Sequence, residues 1–111
     1  MKNQNMKHIL ASGNTTQRSM SRKMYYILTY DITSPKRLPK ALKLCRRFLN
    51  HVQNSVFEGE LTTAQMDGLE TSIKKIINKK EDSVLIYAAR TPEVVDRFVI
   101  GIKKNEISNF F

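Results

Sequence analysis

The chain has 111 residues, which is enough for one domain with a modest hydrophobic core and short for two. Nineteen Lys and Arg against ten Asp and Glu give a formal charge of +9, which favours partners rich in phosphate. Nucleic acid is the first such partner to consider, and an anionic membrane is the second. The sequence shows neither the run of about 18 to 20 apolar residues that a spanning helix needs nor the apolar core of a signal peptide, so we expect a cytoplasmic protein with no membrane partner.

The chain holds a single cysteine, Cys45, which excludes an internal disulfide and a thiolate zinc cluster. We expect Cys45 to act as a small buried apolar side chain.

Residues 1–23 are polar and carry five basic residues and no acid. Their composition predicts a disordered basic leader, followed by a single domain over residues 24–111. The leader is interpreted either as a nucleic-acid-binding tail or as a dispensable extension that precedes a second start at Met24.

From Met24 the pattern becomes aromatic and β-branched, which predicts a strand over residues 24–32 that is buried on both faces. Turn residues follow, and Pro39 suits the first turn of a helix over residues 39–50. The buried stripe of that helix is predicted at helical spacing and consists of Leu38, Leu42, Cys45 and Leu49, with Ala41 and Phe48 beside them.

Residues 52–61 alternate in part between apolar and polar and predict a second strand. Thr62 and Gln65 have the spacing of a capping box, so a second helix should begin there and bury Met66, Leu69 and Ile73. The continuous apolar run at residues 84–89 predicts a third strand in a central position. One or two short terminal strands are expected in residues 97–101 and 107–111.

This order predicts an α+β fold, a ferredoxin-like sandwich with two helices on one face of an antiparallel sheet. The prediction requires the long second strand to fold back near Gly59, or a further short strand there. The other face of the sheet must meet solvent or a second copy of the chain.

Three runs carry a resemblance to a known family: residues 26–32 (Tyr-Ile-Leu-Thr-Tyr-Asp-Ile), 52–59 (Val-Gln-Asn-Ser-Val-Phe-Glu-Gly) and 81–87 (Glu-Asp-Ser-Val-Leu-Ile-Tyr). In order and spacing the chain from residue 24 resembles the CRISPR-associated Cas2 family. The resemblance implies a homodimer formed sheet to sheet, a C-terminal strand that pairs with the partner subunit, and a place between Cas1 integrase dimers, holding double-stranded DNA during spacer acquisition. It also implies magnesium-dependent nuclease activity in some members, with Asp31 at the position of the proposed metal ligand and catalytic acid.

The chemistry of Asp31 allows two interpretations. A carboxylate at the end of a strand suits Mg²⁺, which takes oxygen ligands and often only one or two from protein, and a twofold axis could supply a second copy. Alternatively, Asp31 caps the following turn through the N–H groups of Thr33 or Ser34.

A basic cluster follows Asp31 and contains no acid, so we expect it to be unpaired within the chain and to contact phosphates; the alternative is an ordinary solvated helix face. Its members are Lys36, Arg37, Lys40, Lys43, Arg46 and Arg47. Because no motif for reading bases is visible, recognition should depend on shape and charge.

Two functions therefore compete: a DNA-binding scaffold subunit and a stand-alone metal-dependent endonuclease acting on RNA or DNA. An RNA-binding sheet is disfavoured because residues 84–89 contain no basic residue, and Tyr87 is interpreted as a core or interface aromatic and not as a stacking residue. His51 is interpreted as a general base or, in preference, as an imidazole that helix carbonyls satisfy.

Overall fold

The structure, a computed structural model, describes residues 22–103. Its elements are β1 (Lys23–Asp31), α1 (Arg37–Phe48), β2 (Asn50–Gln53), β3 (Val56–Thr62), α2 (Thr63–Ile76), β4 (Ser83–Ala89) and a short 3-10 helix (Pro92–Val94). The predicted leader up to residue 21 and the predicted strand at 107–111 lie outside the described residues.

The four strands form one antiparallel sheet in the order β2-β3-β1-β4. Alternate residues of the central strand β1, among them Tyr26 and Leu28, are buried and enter a core that α1 and α2 complete with Cys45 and Leu69. The predicted ferredoxin-like α+β sandwich is therefore confirmed. No helix within residues 22–103 is long and apolar enough to span a membrane.

The predicted second strand is two strands. β2 and β3 form a hairpin whose turn lies at Asn54 and Ser55, and Asn54 has a positive φ of 37°. The fold-back near Gly59 was therefore placed five residues too late. Gly59 instead allows β3 to lie close to Leu49, because a Cβ at residue 59 would be 3.1 Å from Leu49 Cδ2.

β4 lies at the edge of the sheet, so the prediction of a central third strand is wrong. Its apolar run faces both ways: Leu85 and Tyr87 stay 46% and 59% exposed, while Val84 and Ile86 pack on the core. A run of this kind indicates a central strand only when the chain itself covers both faces.

The first helix begins at Arg37, two residues before the predicted start, because the Ser34 hydroxyl oxygen accepts the N–H groups of Lys36 and Arg37. Leu38 was assigned to the buried stripe but is 41% exposed, and Leu44 is buried instead. Cys45 is buried as predicted, and burial raises the pKa of its thiol to about 12.

The capping box of α2 is confirmed by two reciprocal bonds. Gln65 N–H donates to Thr62 Oγ1 at 3.1 Å, and Thr62 N–H donates to Gln65 Oε1 at 2.9 Å. Met66, Leu69 and Ile73 are buried as predicted.

The sheet face opposite the helices, here called the open face, presents Tyr25, Ile27, Thr29 and Asp31 from β1. Residues 92–98, here called the strap, lie along part of this face, where they enclose shallow cavities together with Tyr25, Ile27 and Glu58. The terminal strand predicted at 97–101 is not formed in the described chain.

One carboxylate fastens the strap to the sheet. Arg97 and the Tyr25 hydroxyl both donate to Glu58 Oε1. Burial opposes ionisation of Glu58, but the bonds from Arg97 and Tyr25 outweigh it and lower the pKa of that carboxyl. Burial, followed by the bond to Glu58, raises the pKa of Tyr25 to about 12.

Candidate nucleic-acid interface

Asp31 is the last residue of β1 and is exposed on the open face. It lies opposite Ser83, the first residue of β4, in the antiparallel register. The Thr33 N–H, one of the two donors expected to satisfy Asp31 in a turn, donates to Asp82 Oδ1 at 3.3 Å. Thr33 is therefore engaged elsewhere, and Ser34 remains as the donor for the capping interpretation. Because Asp31 is exposed, its carboxylate faces outward.

Four members of the basic cluster form a line along α1. At 100° per residue, a spacing of i, i+4, i+7 and i+11 keeps side chains within about 60° of one another around the axis. These members are Lys36, Lys40, Lys43 and Arg47, all of them exposed. We call this line the α1 stripe; it extends about 16 Å at 1.5 Å per residue.

Arg37 does not belong to the stripe, and the expectation that the whole cluster is unpaired is wrong for this residue. Its Nε donates to Asp82 Oδ2 at 2.7 Å, and one terminal nitrogen lies 2.9 Å from Glu81 Oε1. These bonds tie the start of α1 to the loop before β4.

Asp82 lies at the same end of the sheet as Asp31, and its role is not apparent from the sequence. Its buried carboxylate accepts bonds from Arg37 and from the backbone N–H groups of Asn78 and Thr33. The bonds from Arg37, followed by those from the backbone, hold the pKa of Asp82 at about 2 although burial opposes them. Because Arg37 and Asp82 are 45 residues apart in the sequence, local sequence patterns do not reveal their ion pair.

Arg46 lies off the stripe, beside the hairpin. One of its terminal nitrogens is 3.4 Å from His51 Nδ1, and His51 Nε2 is 2.7 Å from the carbonyl oxygen of Asn54. The His51 ring also stacks on Phe57 with a centroid distance of 4.6 Å. The imidazole therefore bonds to the hairpin turn, whereas the sequence favoured a bond to helix carbonyls.

Within residues 22–103, no group of three or more His, Cys, Asp or Glu side chains is arranged to hold a metal ion. Asp31 alone gives one carboxylate per chain. That donor set fits Mg²⁺, which keeps several waters and is commonly bound through one or two carboxylates together with substrate phosphates.

Comparisons with known proteins match the part of the chain that holds this site. A family model described as CRISPR associated protein Cas2 matches residues 24–96. The CRISPR-associated endoribonuclease Cas2 of Dictyoglomus turgidum is 43% identical over 83 residues, covering 75% of this chain and 94% of the relative. The protein of the same name from Pyrococcus furiosus is 44% identical over 84 residues, covering 76% and 95%.

Solved structures are similar in the same region. A crystal structure of Cas2 superposes with a TM-score of 0.68 at 41% identity, covering 74% of this chain and 91% of the other. Streptococcus pyogenes Cas2 gives a TM-score of 0.60 at 32% identity, covering 68% and 99%. The chain therefore belongs to the CRISPR-associated Cas2 family.

Proposed function

We propose that this chain is a homodimeric, double-stranded-DNA-binding scaffold subunit that acts with the Cas1 integrase in CRISPR spacer acquisition. The α1 stripe is the observation that carries the proposal. Four exposed cations in line, on a helix without a single acid, match the repeated charge of a phosphate backbone. Contacts of this kind position a protein on DNA without reading its sequence.

The open face supports the homodimer. Leu85 and Tyr87 are exposed there beside Ile27 and Thr29, their partners in the register with β1. A second copy related by a twofold axis would cover this apolar surface with its own equivalent surface. The same axis would give the dimer two α1 stripes and two Asp31 carboxylates.

Charge reversal of Lys40 and Lys43 tests the scaffold function. Each lost phosphate contact lowers the slope of log K against log salt by about 0.9 for duplex DNA, so the double variant should lose about 1.8 for each protomer that contacts the duplex. Duplexes of unrelated sequence should be weakened alike. The matched control reverses Lys23 and Arg90, two exposed cations at the opposite end of the sheet from Asp31, and should keep the slope. An unchanged slope in the Lys40 and Lys43 variant would contradict the proposal.

A second candidate is a metal-dependent endonuclease, favoured by the outward carboxylate of Asp31 and by the name endoribonuclease that the two relatives carry. Asp31 and its copy across the axis would hold the ion. A bound Mg²⁺ polarises a phosphodiester and lowers the pKa of water. The protein supplies the carboxylates and, through the α1 stripe, holds the substrate.

Asp31→Asn separates the two functions, because the amide keeps the shape of the side chain and removes its charge. Scaffolding predicts that duplex affinity is retained. Nuclease action predicts that magnesium binding and magnesium-dependent cleavage of RNA or DNA are lost together. Equal magnesium affinity in wild type and Asp31→Asn, or no binding in either, would remove the metal role.

A further inference from the structure

The loop between α2 and β4 is a hydrogen-bonded turn that carries two adjacent cations. We call residues 78–82 the lysine turn. Its backbone is closed by the N–H groups of Glu81 and Asp82, which donate to the Asn78 carbonyl oxygen at 3.0 and 2.8 Å. Lys80 N–H also donates to Asn78 Oδ1 at 2.9 Å. Lys79 and Lys80 are thus held on an ordered turn with exposed side chains.

The lysine turn is fastened to the segment that follows Asp31. Asp82 accepts the Thr33 N–H from one side of that segment and the Arg37 guanidinium from the other. Immediately after the turn, Ser83 pairs with Asp31 in the register. The two lysines and the Asp31 carboxylate therefore lie at the same end of the sheet.

Apart from the exposed Asp31, the acids near the lysine turn already have partners. Glu81 and Asp82 both bind Arg37, and Glu70 binds Lys74 at 3.6 Å. Among the ion pairs of the described chain, Lys79 and Lys80 take part in none. Counted together with Arg37, the turn carries a formal charge of +1, although two of its five residues are acids.

Helix electrostatics do not account for these two lysines. Lys74 and Lys75 lie in the last turn of α2, where cations interact favourably with the helix dipole. The helix ends at Ile76, and Ile77 has extended backbone angles. Because the dipole effect falls off within the last turn, it gives Lys79 and Lys80 little stabilisation.

We propose that the lysine turn is a second phosphate-binding surface, which holds the backbone of a nucleic acid beside Asp31. The inference rests on the proposed function, in which the α1 stripe binds the same nucleic acid. The ligand chemistry is a phosphodiester backbone, which both duplex DNA and single-stranded RNA supply. The Arg37 and Asp82 pair fixes the distance between the two basic surfaces.

Substituting both lysines with glutamine tests the surface without introducing repulsion. The lysine-turn variant, Lys79→Gln with Lys80→Gln, should lose slope in salt titrations, about 1.8 on duplex DNA and about 1.4 on single-stranded RNA for each protomer in contact. When the salt concentration rises from about 50 to about 200 mM, wild type should lose more affinity than the variant. For one protomer in contact, the two losses should differ by a factor of about 12 on the duplex and about 7 on the single strand. Lys23→Gln with Arg90→Gln is the matched control, and thermal unfolding verifies each fold.

Comparison with the Lys40 and Lys43 variant separates the inference from the proposed function. If only that variant loses slope, the lysine-turn inference is overturned and the scaffold function stands. If only the lysine-turn variant loses slope, the inference stands and the role of the α1 stripe fails. If neither loses slope, both are overturned. Loss on one nucleic acid alone supports the inference and identifies its ligand.

A cross-linking experiment tests the placement beside Asp31. Cys45 is buried, so a photo-cross-linker attached to an Asp31→Cys protein reports that position. At saturating nucleic acid, cross-linking should be efficient in the otherwise unchanged chain and in the control pair, and reduced in the lysine-turn variant. No cross-link in the unchanged background, or equal yields in all three at saturation, would overturn the placement.

Discussion

Removal of the exposed Leu85 side chain should weaken the homodimer. Leu85→Ala deletes three carbons, each contributing about 0.8 kcal/mol when fully buried. Because 46% of this residue is exposed in the single chain, a covering partner would bury about that share, which amounts to about 1.1 kcal/mol per protomer. A twofold interface contains the residue twice, so the loss is about 2.2 kcal/mol per dimer. The dissociation constant should rise about 40-fold.

Sedimentation equilibrium measures this change, and Leu38→Ala is the matched control. Leu38 is the same residue type with a similar exposure of 41%, but it lies on α1, across the sheet from the open face. We expect the Leu38→Ala dimer to keep the wild-type dissociation constant, with circular dichroism verifying both folds. Equal weakening by the two variants, or an unchanged constant for Leu85→Ala, would refute the assignment of the open face as the interface.

Three further predictions concern stability. Since Arg37 holds the pKa of Asp82 at about 2, below the usual value of about 3.9, the stabilisation by ionised Asp82 is complete above about pH 4 and is lost as the pH falls towards 2. Asp82→Asn should therefore be less stable than wild type at pH 7, and urea titrations should show the difference shrinking across that acid range; a constant difference would contradict this. Phe57→Ala should lower the free energy of unfolding by about 3 to 5 kcal/mol, because Phe57 is fully buried. A loss under about 1 kcal/mol in urea titrations would show that neighbouring side chains fill the cavity, and would contradict this prediction. Thr62→Ala should cost about 1 kcal/mol through the lost capping bond, and Thr62→Ser should restore it in the same assay.

Local patterns predicted most of the fold. The run of apolar residues in β1 and the capping box at Thr62 and Gln65 are signals contained within a few neighbours, and the structure contains both elements. The hairpin turn was misplaced because Asn54 and Ser55 form a weaker turn signal than Gly59. Gly59 is small for a tertiary reason, the contact with Leu49, which a single segment cannot reveal.

The candidate site was predicted in part for the same reason. Helical spacing places four of the six predicted cations in one line, so the α1 stripe follows from sequence alone. Arg37 was assigned to the same surface because the acids that bind it lie 44 and 45 residues further along the chain. The apolar run of β4 likewise did not show whether this chain or another one covers its second face.

The position of the strap affects the angle between the two sheets of a dimer. Held by Glu58, it lies over the β3 side of the open face, while Leu85 and Tyr87 leave the β4 side bare. A twofold axis that runs across the strands would bring the two straps against each other, so the sheets would be held apart along that margin and would touch along the other. The tilt between protomers would then be set by the combined thickness of the two straps.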